Sequence, residues 1–257
     1  MARRMKIIEA GDLVKQVIYT APEPRDGPPV RAQKSHVTSE AQKRMNDRTA
    51  REKLEMEIAT NFTRRDLFLT YTYDNDHLPA TRKEAEGNLK KTIRSLRAVR
   101  RRQGQELKYI YVTEDKHGEG RLHHHLIINA TERDIDVLRS LWPYGDVVHI
   151  EPLGKAEWGQ WAGYMTKDGG DRPVGRRMWT PSRNLKKPTV RSYYVPDNAT
   201  LEIPREAQIM EGDRHDEGVA FYWFVKYRLR PNRWDFKEYG PQYGEADIPA
   251  FLACGRI

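Results

Sequence analysis

The side chains with the greatest chemical capacity lie in one stretch, Lys108 to Asn129, KYIYVTEDKHGEGRLHHHLIIN. His123 and His125 are two residues apart, so in a strand both point to the same face. An antiparallel partner in suitable register brings Glu114 beside them. Two imidazoles and one carboxylate converging from a rigid hairpin make a divalent-metal site, with positions open for water or a phosphate oxygen. The plainer alternative is that these are surface or hydrogen-bonded core histidines and that the run of three is fortuitous. A nucleophile farther along the chain shifts the balance, and Tyr164 is one. It falls in AEWGQWAGYMTK, Ala156 to Lys167, where Trp158, Trp161, Ala162 and Met165 recur at helical spacing and form a buried stripe. Tyr164 lies off that stripe, on the side shared with Gln160 and Lys167, so it is not an ordinary core tyrosine. Gly159 and Gly163 in the same helix each cost about 1 kcal/mol relative to alanine, which points to close approach by another group.

The elements around these residues must hold them in place. Tyr109 to Val112 and Leu122 to Ile128 carry the aromatic and aliphatic residues of strands, and Asp115 to Gly120 between them has the glycines and mixed charge of a hairpin loop. Upstream, DLFLTYTYD (Asp66 to Asp74) alternates as a strand. Thr81 and Glu84 form a capping box for a helix with Leu89, Ile93, Leu96 and Val99 on one side. Lys90, Arg94, Arg97 and Arg101 line another side, which reads as a solvated face in preference to a phosphate-tracking one. After the hairpin, Thr131 and Asp134 cap a short helix buried through Ile135, Leu138 and Trp142, and a strand follows at Asp146 to Ile150. Strand, helix, strand, strand, helix, strand is the ferredoxin-like split βαβ order of an α+β fold. A central antiparallel sheet then has its helices on one face and the metal and tyrosine site on the other. Leu122, Leu126 and Ile128 face the helices, leaving His123 and His125 on the free face.

The chain has 257 residues, 45 Lys and Arg against 37 Asp and Glu, and a formal net charge of +8, which suits a polyanionic partner. Its single cysteine, Cys254, rules out an internal disulfide framework and fits a reducing compartment. No apolar run reaches the roughly 18 residues of a membrane span, and a soluble cytoplasmic protein is expected. No GxxxxGK[ST] motif is present, so no NTPase motor is expected. Residues 1–36, basic and broken by Pro22, Pro24, Pro28 and Pro29, read as an extended or partly disordered lead-in with a short strand at Gln16 to Tyr19. Ser39 and Gln42 open a helix whose thin apolar stripe is Met45, Leu54 and Ile58. Residues 37–195 are taken as one domain, and 196–257 as an extension packing on it, with the strand VAFYWFVKY adding to the main sheet or covering its face. Between Asp171 and Tyr194 the chain reads as a loop in which Arg172, Arg176, Arg177, Arg183, Lys186, Lys187 and Arg191 alternate with Trp179, Tyr193 and Tyr194. Cations interleaved with aromatic plates suit single-stranded nucleic acid, and the alternative is a basic surface loop. Arg121, beside the histidines, is grouped with these cations.

Histidine-triad hydrolases alternate their histidines with apolar residues, and Arg121 and Ile127 break that pattern. Zinc deaminases and zinc fingers need thiolates that one cysteine cannot supply. The chain instead resembles the HUH endonuclease superfamily, in particular the rolling-circle replication initiators of phages and plasmids. FLTYTYD (Phe68 to Asp74) is similar to that family's first motif, GRLHHH (Gly120 to His125) to its metal-binding motif, and YMTK (Tyr164 to Lys167) to its tyrosine motif. SRNLKKP (Ser182 to Pro188) is similar to a segment of the phage-like branch. His124 departs from the pattern, which has an apolar residue there. The resemblance implies that Mn²⁺ or Mg²⁺ on Glu114, His123 and His125 activates a phosphodiester of single-stranded DNA at a replication origin. Tyr164 would attack it, assisted by Lys167, leaving a 5′-phosphotyrosine and a free 3′-hydroxyl. A separate helicase and host polymerase are implied as partners. Mobilisation relaxases and single-strand transposases share this chemistry, and a noncatalytic origin-binding protein with structural histidines is a further alternative.

Overall fold

The computed structural model describes residues 2–22, 40–114, 121–131, 134–146, 148–154, 156–167, 177–216 and 221–229. These form two compact units, one within Met1–Gln42 and Lys186–Gln242, the other within Lys43–Leu185. Along the chain the elements are β1 (Ala2–Ala10), β2 (Leu13–Ala21), α1 (Glu40–Asn61), β3 (Leu67–Thr72), α2 (Arg82–Arg102), β4 (Tyr109–Glu114) and β5 (His123–Ile128). There follow α3 (Asp134–Ser140), β6 (Val148–Pro152), α4 (Trp158–Met165), β7 (Thr180–Pro181), β8 (Thr189–Val195), β9 (Gln208–Asp216) and β10 (Phe221–Arg228). No helix among the described residues is long and apolar enough to cross a membrane.

The second unit carries the site. Its sheet runs β6-β3-β5-β4-β7 with every pairing antiparallel, so the four strands of the split βαβ repeat take the spatial order fourth, first, third, second. Strand alternation then sorts side chains by face. Leu69, Tyr71 and Tyr73 of the β3 segment, Tyr111, Leu122, Leu126 and Ile128 pack with Ala85, Leu89, Ile93 and Leu96 of α2 and with Leu138 and Trp142. This is the expected helix layer. The helix α2 begins as its sequence predicts, with the Thr81 hydroxyl accepting from the Glu84 N–H at 3.2 Å. Two stripe positions differ. Val99 is only half-buried, whereas Arg100 is 1 % exposed and binds Asp134 at 2.8 Å, tying the end of α2 to the start of α3. Ile135, expected inside, is 51 % exposed, because Asp134 takes the buried position beside it.

On the opposite face lie Phe68, Thr70, Val112, Glu114, His123, His125 and Ile127, with His149 and Glu151 from β6 paired beside Thr70 and Phe68. Here α4 packs, its Trp161 ring 4.7 Å from Phe68. The helix is shorter than the Ala156 to Lys167 read from sequence, because Glu157 caps it through a Gln160 contact of 2.9 Å and Thr166 closes it. Its buried side chains, Trp158, Trp161, Ala162 and Met165, are those of the expected stripe. A Cβ at Gly159 would lie 3.0 Å from a Glu55 oxygen of α1, which accounts for that glycine. No atom of the described residues lies within 4 Å of a Cβ built at Gly163. Within α1, Leu54 and Ile58 are buried as expected, but Met45 is 63 % exposed. Ser39 of the expected capping box and the loop Asp115 to Gly120 lie outside the described residues.

The first unit overturns the expected lead-in. In place of an extended or partly disordered segment over 1–36, β1 and β2 form a nine-pair hairpin from Ala2↔Ala21 to Ala10↔Leu13. Its two-residue loop starts at Gly11, whose φ of 60° suits a tight hairpin turn. The prolines that suggested irregularity begin only at Pro22, after β2 ends. Residues 196–257 were expected to extend the main sheet or cover it. Instead the described part supplies β9 and β10, which join a separate sheet in the order β8-β1-β2-β10-β9. Met5, Val14, Ile18, Leu201, Phe221, Val225 and Tyr227 form its core. The expected loop from 171 to 194 likewise ends in a strand, β8, which pairs with β1 from Arg3↔Val195 to Glu9↔Thr189. The apolar partners that make these segments strands are far apart in sequence, so local pattern could not reveal them.

Candidate functional site

Register does most of the positioning. Glu114 ends β4 directly opposite His123 at the start of β5, and His125 lies opposite Thr70 on the other flank. Glu114 Oε2 is 3.1 Å from His123 Nε2 and 3.4 Å from His125 Nε2. One ligating atom from each of the three side chains falls within 4.8 Å of the others. The far ring nitrogens are also held: His123 Nδ1 meets the Arg121 carbonyl and His125 Nδ1 meets the Thr70 hydroxyl, each at 3.0 Å. Such contacts fix ring orientation and leave Nε2 to the site. Thr70 is a residue sequence reasoning missed, although its place two residues from Phe68 in FLTYTYD put it on the correct face.

Burial would raise the Glu114 carboxyl, but hydrogen bonds from His123 and His125 and the Lys167 charge outweigh it, and its pKa falls well below the usual carboxylate range. For His123, burial favours the neutral ring, yet the Glu114 hydrogen bond and the Arg121 carbonyl push the pKa up. Burial dominates at His125 and pushes it down. The donor set suits a divalent cation. His123 has an acceptor at both ring nitrogens, a pattern satisfied by an imidazolium or by a neutral ring with a cation in place of the Nε2 proton. Glu114 Oε1 and His125 Nε2 are buried without a hydrogen-bond partner, as metal-directed atoms would be.

Tyr164 adjoins this cluster. Its ring centroid is 4.9 Å from that of His125 and 5.6 Å from that of Phe68, and Lys167 Nζ sits 4.2 Å from the tyrosine centroid. The same Nζ is 3.2 Å from Glu114 Oε2. Burial raises the Tyr164 pKa, Lys167 pulls it back, and the Glu114 and Glu151 charges add to the rise. Glu151 and His149 form a pair on the same sheet face, 3.3 Å apart, that sequence reasoning also missed. Their only signal was alternation within DVVHIEP, with no motif to mark them. Burial raises the Glu151 pKa, with His149 opposing.

His124 points the other way. It is fully buried between the Thr113 hydroxyl at Nδ1 and the Tyr73 hydroxyl at Nε2, both at 2.9 Å, and packs edge-on to Trp142. Burial pushes its pKa down to about 3, so it is a neutral core residue. Tyr71 and Tyr73 are equally buried in the helix layer and belong to the core.

The expected cations are dispersed. Arg121 is exposed and held at 2.9 Å by both the Tyr73 carbonyl and the Asn75 side chain, next to the site. Arg177 and Arg183 are exposed on the second unit. Between them Ser182 is buried, pairing with Tyr109 through its N–H at 2.8 Å and its hydroxyl at 3.1 Å, so SRNLKKP serves partly as a sheet edge. Lys186 and Lys187 are exposed and belong to the first unit, and Arg176 lies outside the described residues.

No curated protein and no solved structure matches the chain. Residues 66–169, which span β3 to the end of the tyrosine helix and hold all five clustered residues, match the family model of the replication-associated protein ORF2. This segment, and with it the site, belongs to the ORF2 family of replication-associated proteins.

Proposed function

We propose that the protein is a metal-dependent nicking and joining endonuclease that initiates rolling-circle replication on single-stranded DNA. The observation that carries this reading is the convergence of Tyr164 and Lys167 on the Glu114, His123 and His125 cluster, on one sheet face of a replication-associated segment. A free tyrosine, with a pKa of about 10, is a weak nucleophile at neutral pH. Burial and two nearby carboxylates weaken it further here, and Lys167 opposes them. Glu114, His123 and His125 would hold a divalent ion, Mn²⁺ or Mg²⁺. When bound, that ion supplies Lewis-acid polarisation of a phosphoryl oxygen. The chain's own residues do the rest. The Tyr164 oxygen attacks phosphorus as its proton passes to water, a Tyr–O–P bond forms, and the bond to the 3′-oxygen breaks. Lys167 offsets the negative charge that develops on the way. Arg121, Arg176, Arg177, Arg183, Lys186 and Lys187 are proposed to contact the strand. The product, a 5′-phosphotyrosine with a free 3′-hydroxyl, is what a polymerase extends and a second transfer reseals. A separate helicase is proposed to open the duplex.

Denaturing electrophoresis of the protein with labelled single-stranded DNA of its own element tests this. With Mn²⁺ an adduct that survives denaturation is expected. It should vanish with EDTA, in Tyr164→Phe and in His123→Ala/His125→Ala. DNA binding that survives Tyr164→Phe with no adduct under any metal would reject the nuclease in favour of a noncatalytic origin-binding protein. Whether the substrate is a replication origin, a transfer origin or a transposon end separates the initiator from a relaxase or a transposase.

A further inference from the structure

Three donors crowd one oxygen in the cluster. Glu114 Oε2 lies 3.1 Å from His123 Nε2, 3.4 Å from His125 Nε2 and 3.2 Å from Lys167 Nζ. The carboxylate is 4 % exposed, so water does little to balance its charge, while the lysine, 39 % exposed, stands on the open side. An ion bound to Glu114 and both imidazoles would sit about 2.0–2.6 Å from each donor atom, in the space this ammonium borders. Two cationic centres on one carboxylate oxygen repel strongly where solvent screening is weak. The lysine has somewhere to go. Helix α4 ends at Met165 and Thr166 is its cap, so the Lys167 stem extends from the helix end, and its ammonium already lies 4.2 Å from the Tyr164 ring centroid.

We propose that Lys167 is the resident counter-cation of Glu114 which a divalent ion must displace, so that metal loading and transfer of the lysine to Tyr164 are one event. This rests on the metal-site reading above. It gives the lysine two opposed effects. It weakens metal binding, because its ion pair with a buried carboxylate has to break. It also reaches the tyrosine with its charge uncommitted only once the metal is in place, which ties nucleophile activation to a loaded site.

Isothermal titration of the full chain with Mn²⁺ at pH 8, without DNA, tests the proposal apart from activity. Lys167→Met keeps the stem and removes the charge, and it is expected to bind Mn²⁺ about tenfold more tightly than the wild type, the scale of losing one ion pair to a buried partner. Lys167→Gln should behave alike, which covers failure of the methionine variant to fold. Lys167→Arg should stay near the wild type. Binding that disappears in His123→Ala/His125→Ala but is no tighter in Lys167→Met and Lys167→Gln overturns the inference and leaves the metal site standing. Absence of Mn²⁺ binding to the wild type and all variants removes the metal-site reading, and this inference with it.

Discussion

At the scale of single residues, three consecutive histidines are put to two uses by strand alternation alone. His123 and His125 face the cluster with Glu114, and His124 faces the helix layer. The last carries a stability consequence. Folded His124 titrates at about 3, against 6.5 for an unperturbed histidine. Between these values the unfolded chain binds a proton that the folded chain does not. The contribution of a neutral His124 is therefore full above about pH 6.5 and is lost progressively as pH falls toward 3. Urea midpoints from pH 7 down to pH 4, compared with His124→Asn, should show a shallower decline in the variant. Parallel curves would mean that the folded protein protonates His124 as readily as the unfolded chain does.

Among the elements, β3 is the organiser of the second unit. It lies between β5 and β6, gives Leu69 and Tyr71 to the helix-side core, and gives Phe68 and Thr70 to the site. The turn before β6 presses on its end, since a Cβ at Gly145 would come within 2.5 Å of the Thr72 carbonyl oxygen. Behind the sheet, α2 and α3 are joined by the Arg100–Asp134 pair, with side chains 1 % and 4 % exposed. Arg100 also donates to the Asn129 carbonyl at 2.9 Å, at the end of the strand that carries the histidines. Removing one partner of such a pair strands a buried charge. Asp134→Ala is expected to cost about 3–5 kcal/mol by chemical denaturation. A loss below about 1 kcal/mol would show that Arg100 finds other solvation.

For the molecule as a whole, all five clustered residues, both helices behind the sheet and the tyrosine helix fall within Lys43–Leu185. The first unit has its own five-stranded sheet and its own core. A chain of residues 43–185 is therefore expected to unfold cooperatively and to keep metal-dependent adduct formation, though with weaker DNA affinity once Lys186, Lys187 and the remaining basic strands are gone. Far-UV circular dichroism during thermal unfolding checks the first point, and adduct yield at saturating DNA the second. An excised unit without a cooperative transition would show that its core is incomplete alone.

The features legible in the sequence depend on local spacing. The hairpin strands, the Thr81 cap, the α4 stripe, the split βαβ order and the facing of His123 and His125 follow from periods of two and 3.6 residues and from capping chemistry, which neighbours along the chain determine. Tyrosine and lysine three residues apart were legible for the same reason. What only the tertiary structure decided depends on partners distant in sequence. Residues 2–21 become a hairpin inside a sheet because β8 and β10, some two hundred residues on, supply its flanks. Arg100 is buried because Asp134 meets it, and Met45 and Ile135 are exposed because no core reaches them. The Thr70 contact to His125, the shared Glu114 oxygen and the His149–Glu151 pair likewise arise from register across strands, and a linear sequence does not carry that register.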